Sequence, residues 1–139
     1  MSRQHRETLL AAGINATELH LADNGTSIMQ QMCHKLAAKS GWWANVDIHD
    51  KNVLGTKIAL MHSELSEALE GVRKDHRDSH LMHRSAEEVE LADCIIRIFD
   101  YAGARKLDLA SAMIEKLAYN QQRADHKPEN RAADGGKKF

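Results

Sequence analysis

Proline is almost absent: Pro128 is the only one in 139 residues, so residues 1–127 run without it. Aromatic residues are nearly as scarce, with two each of Trp, Tyr and Phe. A strand-rich domain needs frequent turns and favours aromatic and β-branched side chains, so these two scarcities exclude an all-β fold. The residues that fill the space are Ala, Leu, Glu, Lys, Arg, Gln and Met, which are the strong helix formers. Net charge is also nearly missing, at −1 from 19 basic and 20 acidic residues. No bulk positive field is present to hold nucleic acid or an anionic membrane, and neither is expected as a partner. There is no apolar run near the roughly 20 residues that cross a bilayer, and the opening MSRQHRETLLAAG is too polar for a signal peptide. The chain reads as cytoplasmic, or located in the host cytoplasm if phage-encoded. The two cysteines, Cys33 and Cys94, each sit within an apolar helical pattern and read as buried free thiols of a reducing compartment.

What is present is helical periodicity. A short helix is expected from about Arg3 to Ala12, stopped by Gly13. A second is expected over Ile28 to Lys39, with Asn24, Thr26 or Ser27 as caps, Ile28, Met32, Leu36 and Ala37 on one stripe, and Gly41 as its stop. Residues 42–53 have no period and read as a loop holding Trp42 and Trp43. In the third helix, Leu54, Ile58, Met61, Leu65, Leu69 and Val72 recur every three or four residues and predict a buried stripe. A fourth, from about Arg84 to Ala102, is expected to bury Val89, Ala92, Ile96 and Phe99. The fifth, capped by Asp108, repeats Leu109, Met113, Leu117 and Ala118 as far as about Ala124. The expectation is one all-α domain over residues 1–124, a helical bundle of four main helices that is antiparallel where connections are short, followed by a flexible basic tail over residues 125–139.

The near-zero charge conceals two opposed regions. Between Glu64 and Asp93 there are nine acidic residues against four basic ones, and from Arg123 onward five basic against three acidic. The acidic region contains Glu64-x-x-Glu67 on the third helix and Glu90-x-x-Asp93 on the fourth, each pair sharing one helix face. Carboxylates three apart repel, so each pair calls for a compensating cation or full solvation. If the helices pair antiparallel, four carboxylates converge, and hard oxygen ligands suit Mg²⁺ or Mn²⁺. A di-iron centre would want Glu-x-x-His, and no Glu here has His at that position. Lys57 lies two turns before Glu64 on the same face. Lys116, Asn120, Arg123 and Lys127 follow at intervals of four, three and four as one phosphate-seeking stripe. Arg97 reads as a salt-bridge partner for the carboxylates, with Asp100 sharing it. Of the two tryptophans, one reads as core and the other as a stacking surface for a base. His76, His80 and His83 read as exposed loop residues.

Glu64-x-x-Glu67 followed by Glu90-x-x-Asp93, with 22 residues between Glu67 and Glu90, resembles the signature of the MazG-like, all-α nucleoside triphosphate pyrophosphohydrolases. The segments GWW at 41–43, IALMHSELSEALEG at 58–71, EEVELADCIIRIFDYAG at 87–103, Lys116-x-x-x-Asn120-x-x-Arg123 and the GGKKF end are similar to small phage and bacterial members. The resemblance implies hydrolysis between the α- and β-phosphates of a (d)NTP to give (d)NMP and pyrophosphate, with dGTP and GTP as the favoured substrates. It also implies two or three Mg²⁺ ions per site, replaceable by Mn²⁺, held by Glu64, Glu67, Glu90 and Asp93. One of the first two glutamates would orient or deprotonate the attacking water. Trp42, Trp43, Lys57, Lys116, Asn120, Arg123 and Lys127 would bind substrate, and the assembly would be a homodimer or homotetramer; the GGKKF end itself reads as disordered in the free protein, its glycines and lysines able to close over phosphates when substrate binds. Ser63 departs from the pattern, since many members carry a further Glu there. The other class of function is a non-catalytic helical oligomer, a nucleotide binder or adaptor, which has no physical need to gather four carboxylates.

Overall fold

The computed structural model describes residues 2–132 and 134–135, and Gly136 to Phe139 of the GGKKF end lie outside the described residues. The architecture is all-helical: α1 (Arg3–Ala11), α2 (Ala16–Lys39), α3 (Lys51–Lys74), α4 (Ala86–Ala104), α5 (Leu109–Gln122), a 3₁₀ turn (Ala124–His126) and α6 (Pro128–Ala132). No strand occurs among the described residues. The chain divides into two units, one comprising residues up to Ser27 and from Asp108 onward, the other Ile28–Leu107.

The helix starts follow from capping. Asp50 accepts from the Asn52 amide to open α3, and Ser85 and Glu88 form a reciprocal capping box for α4. Asp108 accepts from the Ser111 amide to open α5, as expected. The structure corrects the start of α2, which begins at Ala16 rather than Ile28. Asn15 Oδ1 accepts from the Glu18 amide while Glu18 Oε2 accepts from the Asn15 amide, at 2.9 and 2.7 Å. Asn24, Thr26 and Ser27 therefore lie inside a helix and cap nothing.

The Ile28–Leu107 unit is built on α3 and α4, which run antiparallel: Gly71 meets Ala86 and Glu87, while the Met61 carbonyl accepts from the Cys94 thiol further along. A Cβ on Gly71 would lie 2.9 Å from the Glu87 amide nitrogen, so the helices approach as closely as they do because that residue is glycine. The turn between them is fastened by Asp78, a buried carboxylate that accepts from the His80 and Leu81 amides. His76, His80 and His83 are exposed in this turn.

The stripes expected to be buried on α3 and α4 are largely exposed, with Leu54, Met61, Val89 and Phe99 half-buried. On α3, Ile58, Leu65, Leu69 and Val72 are exposed, Leu69 by 61%. On α4, Ala92 and Ile96 are exposed too, as are Ile28, Met32 and Leu36 of the α2 stripe and Met113 and Leu117 of the α5 pattern, whose Ala118 is buried. The reason is visible on α3, whose contact with α4 is made by Glu64, Ala68 and Gly71, a face of small or acidic residues adjacent to the apolar one. Cys33 and Cys94 are buried and free.

In the other unit, Leu9, Leu19, Ile114 and Ala118 form a small core, and Gln122 donates to the Thr8 hydroxyl at 3.0 Å. Helix α5 ends at Gln122, short of the expected stripe. Lys127 is extended (φ −72°, ψ 134°), as the residue before a proline must be, and Pro128 occupies the first position of α6. Part of the stretch expected as a flexible tail thus has helical secondary structure.

Candidate metal centre and pocket

Helices α3 and α4 bring Glu64, Glu90 and Asp93 together, with one carboxylate oxygen from each lying within 4.8 Å of the others. This is the one such group of metal-ligating side chains among the described residues. Glu64 projects from the small-residue face of α3 and is only 6% exposed. Its Oε1 accepts from Arg97 Nε at 2.6 Å, so the expected salt bridge forms, and it forms specifically with Glu64. Glu67, one turn further along α3, is exposed and is not part of the three-carboxylate group. Its charge still acts on Glu90.

The electrostatics are those of crowded acids. Burial pushes the Asp93 carboxyl above its ordinary range, the charge of Glu64 adds to the rise, and Arg97 opposes it. Glu90 is raised as well, first by burial, then by the charge of Glu67 and by its hydrogen bond with Glu64. Three carboxylates faced by one guanidinium hold excess negative charge in a partly desolvated place, which a divalent cation could relieve. The donor set, oxygen only and without His or Cys, fits Mg²⁺ or Mn²⁺.

Beside this group opens a pocket of about 600 Å³. Asp93 and Arg97 line it together with Asp100, all on one face of α4. Asn52, Thr56 and Lys57 line it from α3, and Trp42 from the segment after α2. The two tryptophans separate as expected, one packed and one open. Trp43 donates Nε1–H to Asp100 Oδ1 at 2.7 Å, meets His34 edge to face, and has the Lys57 ammonium 4.3 Å from its ring centroid. Trp42 is 68% exposed and lines the pocket. Lys57 is therefore placed on an aromatic face rather than directly at the carboxylates. Asp100 does not share Arg97. It takes Trp43 and the His34 Nδ1 instead.

The predicted phosphate stripe lies in the other unit. Lys116 sits 4.6 Å from the Tyr119 ring centroid, and Arg123 is paired with Asp125, its Nε donating to Oδ1 at 2.9 Å. Asn120 carries a buried Oδ1 without a protein donor. Lys127 stands beyond the end of α5, off the helical register that would align it with Arg123.

Sequence reasoning missed Asn52, Thr56 and the Asp100 network. Asp100 was findable, since it lies seven residues after Asp93 and so on the same face. Its partners His34 and Trp43 are far away in sequence and left no local signal. No family model, curated protein or solved structure matches the chain.

Proposed function

We propose that the chain is a divalent-cation-dependent nucleoside triphosphate pyrophosphohydrolase of the MazG-like kind, cleaving a (d)NTP between its α- and β-phosphates. The observation that carries this reading is a carboxylate group drawn from two helices, with Glu64 buried and Glu90 and Asp93 part-buried, that adjoins a pocket lined by the exposed Trp42 and by the cations Lys57 and Arg97. All residues given a role belong to the Ile28–Leu107 unit.

Glu64, Glu90 and Asp93 would hold the cation, and Arg97 keeps Glu64 aimed at it. A bound Mg²⁺ would supply charge stabilisation at the phosphate oxygens and acidify a coordinated water. Glu67, solvated and one turn from Glu64, would receive the proton of the attacking water as its oxygen joins the α-phosphorus. The bond from that phosphorus to the bridging oxygen then breaks, and pyrophosphate leaves with its electron pair. Trp42 would stack on the base, a contact worth about 1 to 3 kcal/mol.

The exposed apolar faces of α2, α3 and α4 support assembly into a homodimer or homotetramer, because isolated exposed leucines are common but whole stripes mark an interface. No described helix is long and apolar enough to cross a membrane.

The test is pyrophosphate release with Mg²⁺ by the wild type and by Asp93→Asn. Outer-shell changes at metal sites already cost about ten- to a hundredfold, so a ligand change should cost at least about a hundredfold. Equal turnover by the two proteins would remove Asp93 from the site.

A further inference from the structure

The pocket has two ends. Asp93 and Arg97 mark one, beside the carboxylates. Asp100 lies seven residues further along the same face of α4, about 10 Å away at the helical rise. Trp43 bonds Asp100, and its chain neighbour Trp42, largely exposed, also lines the pocket. With phosphates at the carboxylate end, the nucleoside reaches toward Asp100 and Trp42.

Asp100 is held rigidly there. Its Oδ1 accepts from Trp43 Nε1 at 2.7 Å and bonds His34 Nδ1 at 3.0 Å. A carboxylate only accepts, so His34 must carry its proton on Nδ1. Gly103 makes this possible, because a Cβ there would fall 2.4 Å from the His34 Cβ and push the imidazole off α4. Both donors fall on one oxygen. Among the described residues, none donates to Oδ2, and the carboxylate lines the pocket.

We infer that Asp100 is a specificity residue whose free oxygen accepts from the exocyclic amino group of a base stacked on Trp42, so that the substrates are nucleotides of amino-bearing bases. This rests on the pyrophosphohydrolase reading, which places the phosphates at the other end. Adenine, cytosine and guanine each carry an amino donor, whereas thymine and uracil present a carbonyl oxygen where cytosine has its amine. An acceptor-only oxygen facing that exocyclic position bonds the amine and repels the carbonyl oxygen, and a site built to bond a donor discriminates strongly against analogues lacking it.

Two substrate pairs test this on the wild type: dGTP against dITP, which lacks only the amino group, and dCTP against dUTP. For the pair whose ring fits the pocket, the amino-bearing member should be favoured by about tenfold to a hundredfold in kcat/KM. Asp100→Asn retains an oxygen for Trp43 and His34 but places a mixed donor and acceptor in the pocket. It should reduce that preference to a few-fold, mainly through KM. Equal turnover within both pairs, an unchanged preference in Asp100→Asn, or a change confined to ribose against deoxyribose would overturn the inference while leaving the hydrolase reading standing. Cleavage of none of the four substrates, nor of dATP, would instead remove the hydrolase reading and this inference with it.

Discussion

On one face of α3, Glu64, Ala68 and Gly71 are buried against α4, while on the adjacent face Ile58, Leu65, Leu69 and Val72 stand exposed. The helix hides a charge and shows its leucines. Burying a carboxylate is costly unless it is paired, and exposing an apolar stripe forgoes about 25 cal/mol for each Å² left in water. Both departures have the same resolution once the chain is given what it acts with. Under the proposed function, Arg97 already pairs with the buried Glu64, a cation would neutralise the remaining charge of the acids, and a second copy would cover the leucines. On that reading the first face would carry the chemistry, and the second the assembly.

The contrast can be broken from the apolar side most dramatically. Leu65→Glu combined with Leu69→Glu places two charges on the exposed face without touching the α3–α4 seam. The assembly should fall to monomers by light scattering, with helicity retained in the circular dichroism spectrum. An unchanged mass would show that this face does not mediate assembly.

On the seam itself the effect should be smaller and of a different kind. Gly71→Ala puts a methyl group 2.9 Å from the Glu87 backbone nitrogen. Forcing the helices apart should cost about 1 to 3 kcal/mol, read as a lower denaturant midpoint. A neutral result would mean the seam is looser than described.

The smallest predicted effect concerns charge. Glu90 binds its proton more tightly in the folded state than in the unfolded state. Metal-free stability from this group is therefore lost as pH rises through the folded value, and the penalty is complete above it. Glu90→Gln removes the penalty, so the metal-free variant should melt above the wild type near neutral pH. The gap should close as pH falls below the ordinary carboxylate value of about 4.3, where Glu90 is protonated in both states. Adding Mg²⁺ at neutral pH should raise the wild type more than the variant. A gap that widened on acidification would reverse the assigned direction.

Much of this was legible in sequence, and the failures have physical causes. The helical class followed from the missing proline and aromatics, and the spacing pointed to the meeting of Glu64 with Glu90 and Asp93, although it also placed Glu67 in a group that the structure leaves it out of. The extension of α2 back to Ala16 had a readable signal in Asn15-x-x-Glu18, a reciprocal capping pattern ahead of the stretch where no helix was expected. Periodicity located the apolar stripes correctly but could not say what they face. It reports which residues share a side, and α3 meets α4 through the neighbouring one. The role of Asp100 depends on His34 and Trp43, separated from it by 66 and 57 positions, and no local pattern encodes such a meeting.

The most direct measurement is the identity of the products. The protein should be incubated with Mg²⁺ and each common NTP and dNTP separately, and the nucleotide and phosphate products separated. A carboxylate seam that positions water at the α-phosphate predicts a nucleoside monophosphate and pyrophosphate in equal amounts from at least one of them, and neither when Mg²⁺ is chelated. A diphosphate with inorganic phosphate, or no cleavage of any nucleotide, would contradict it.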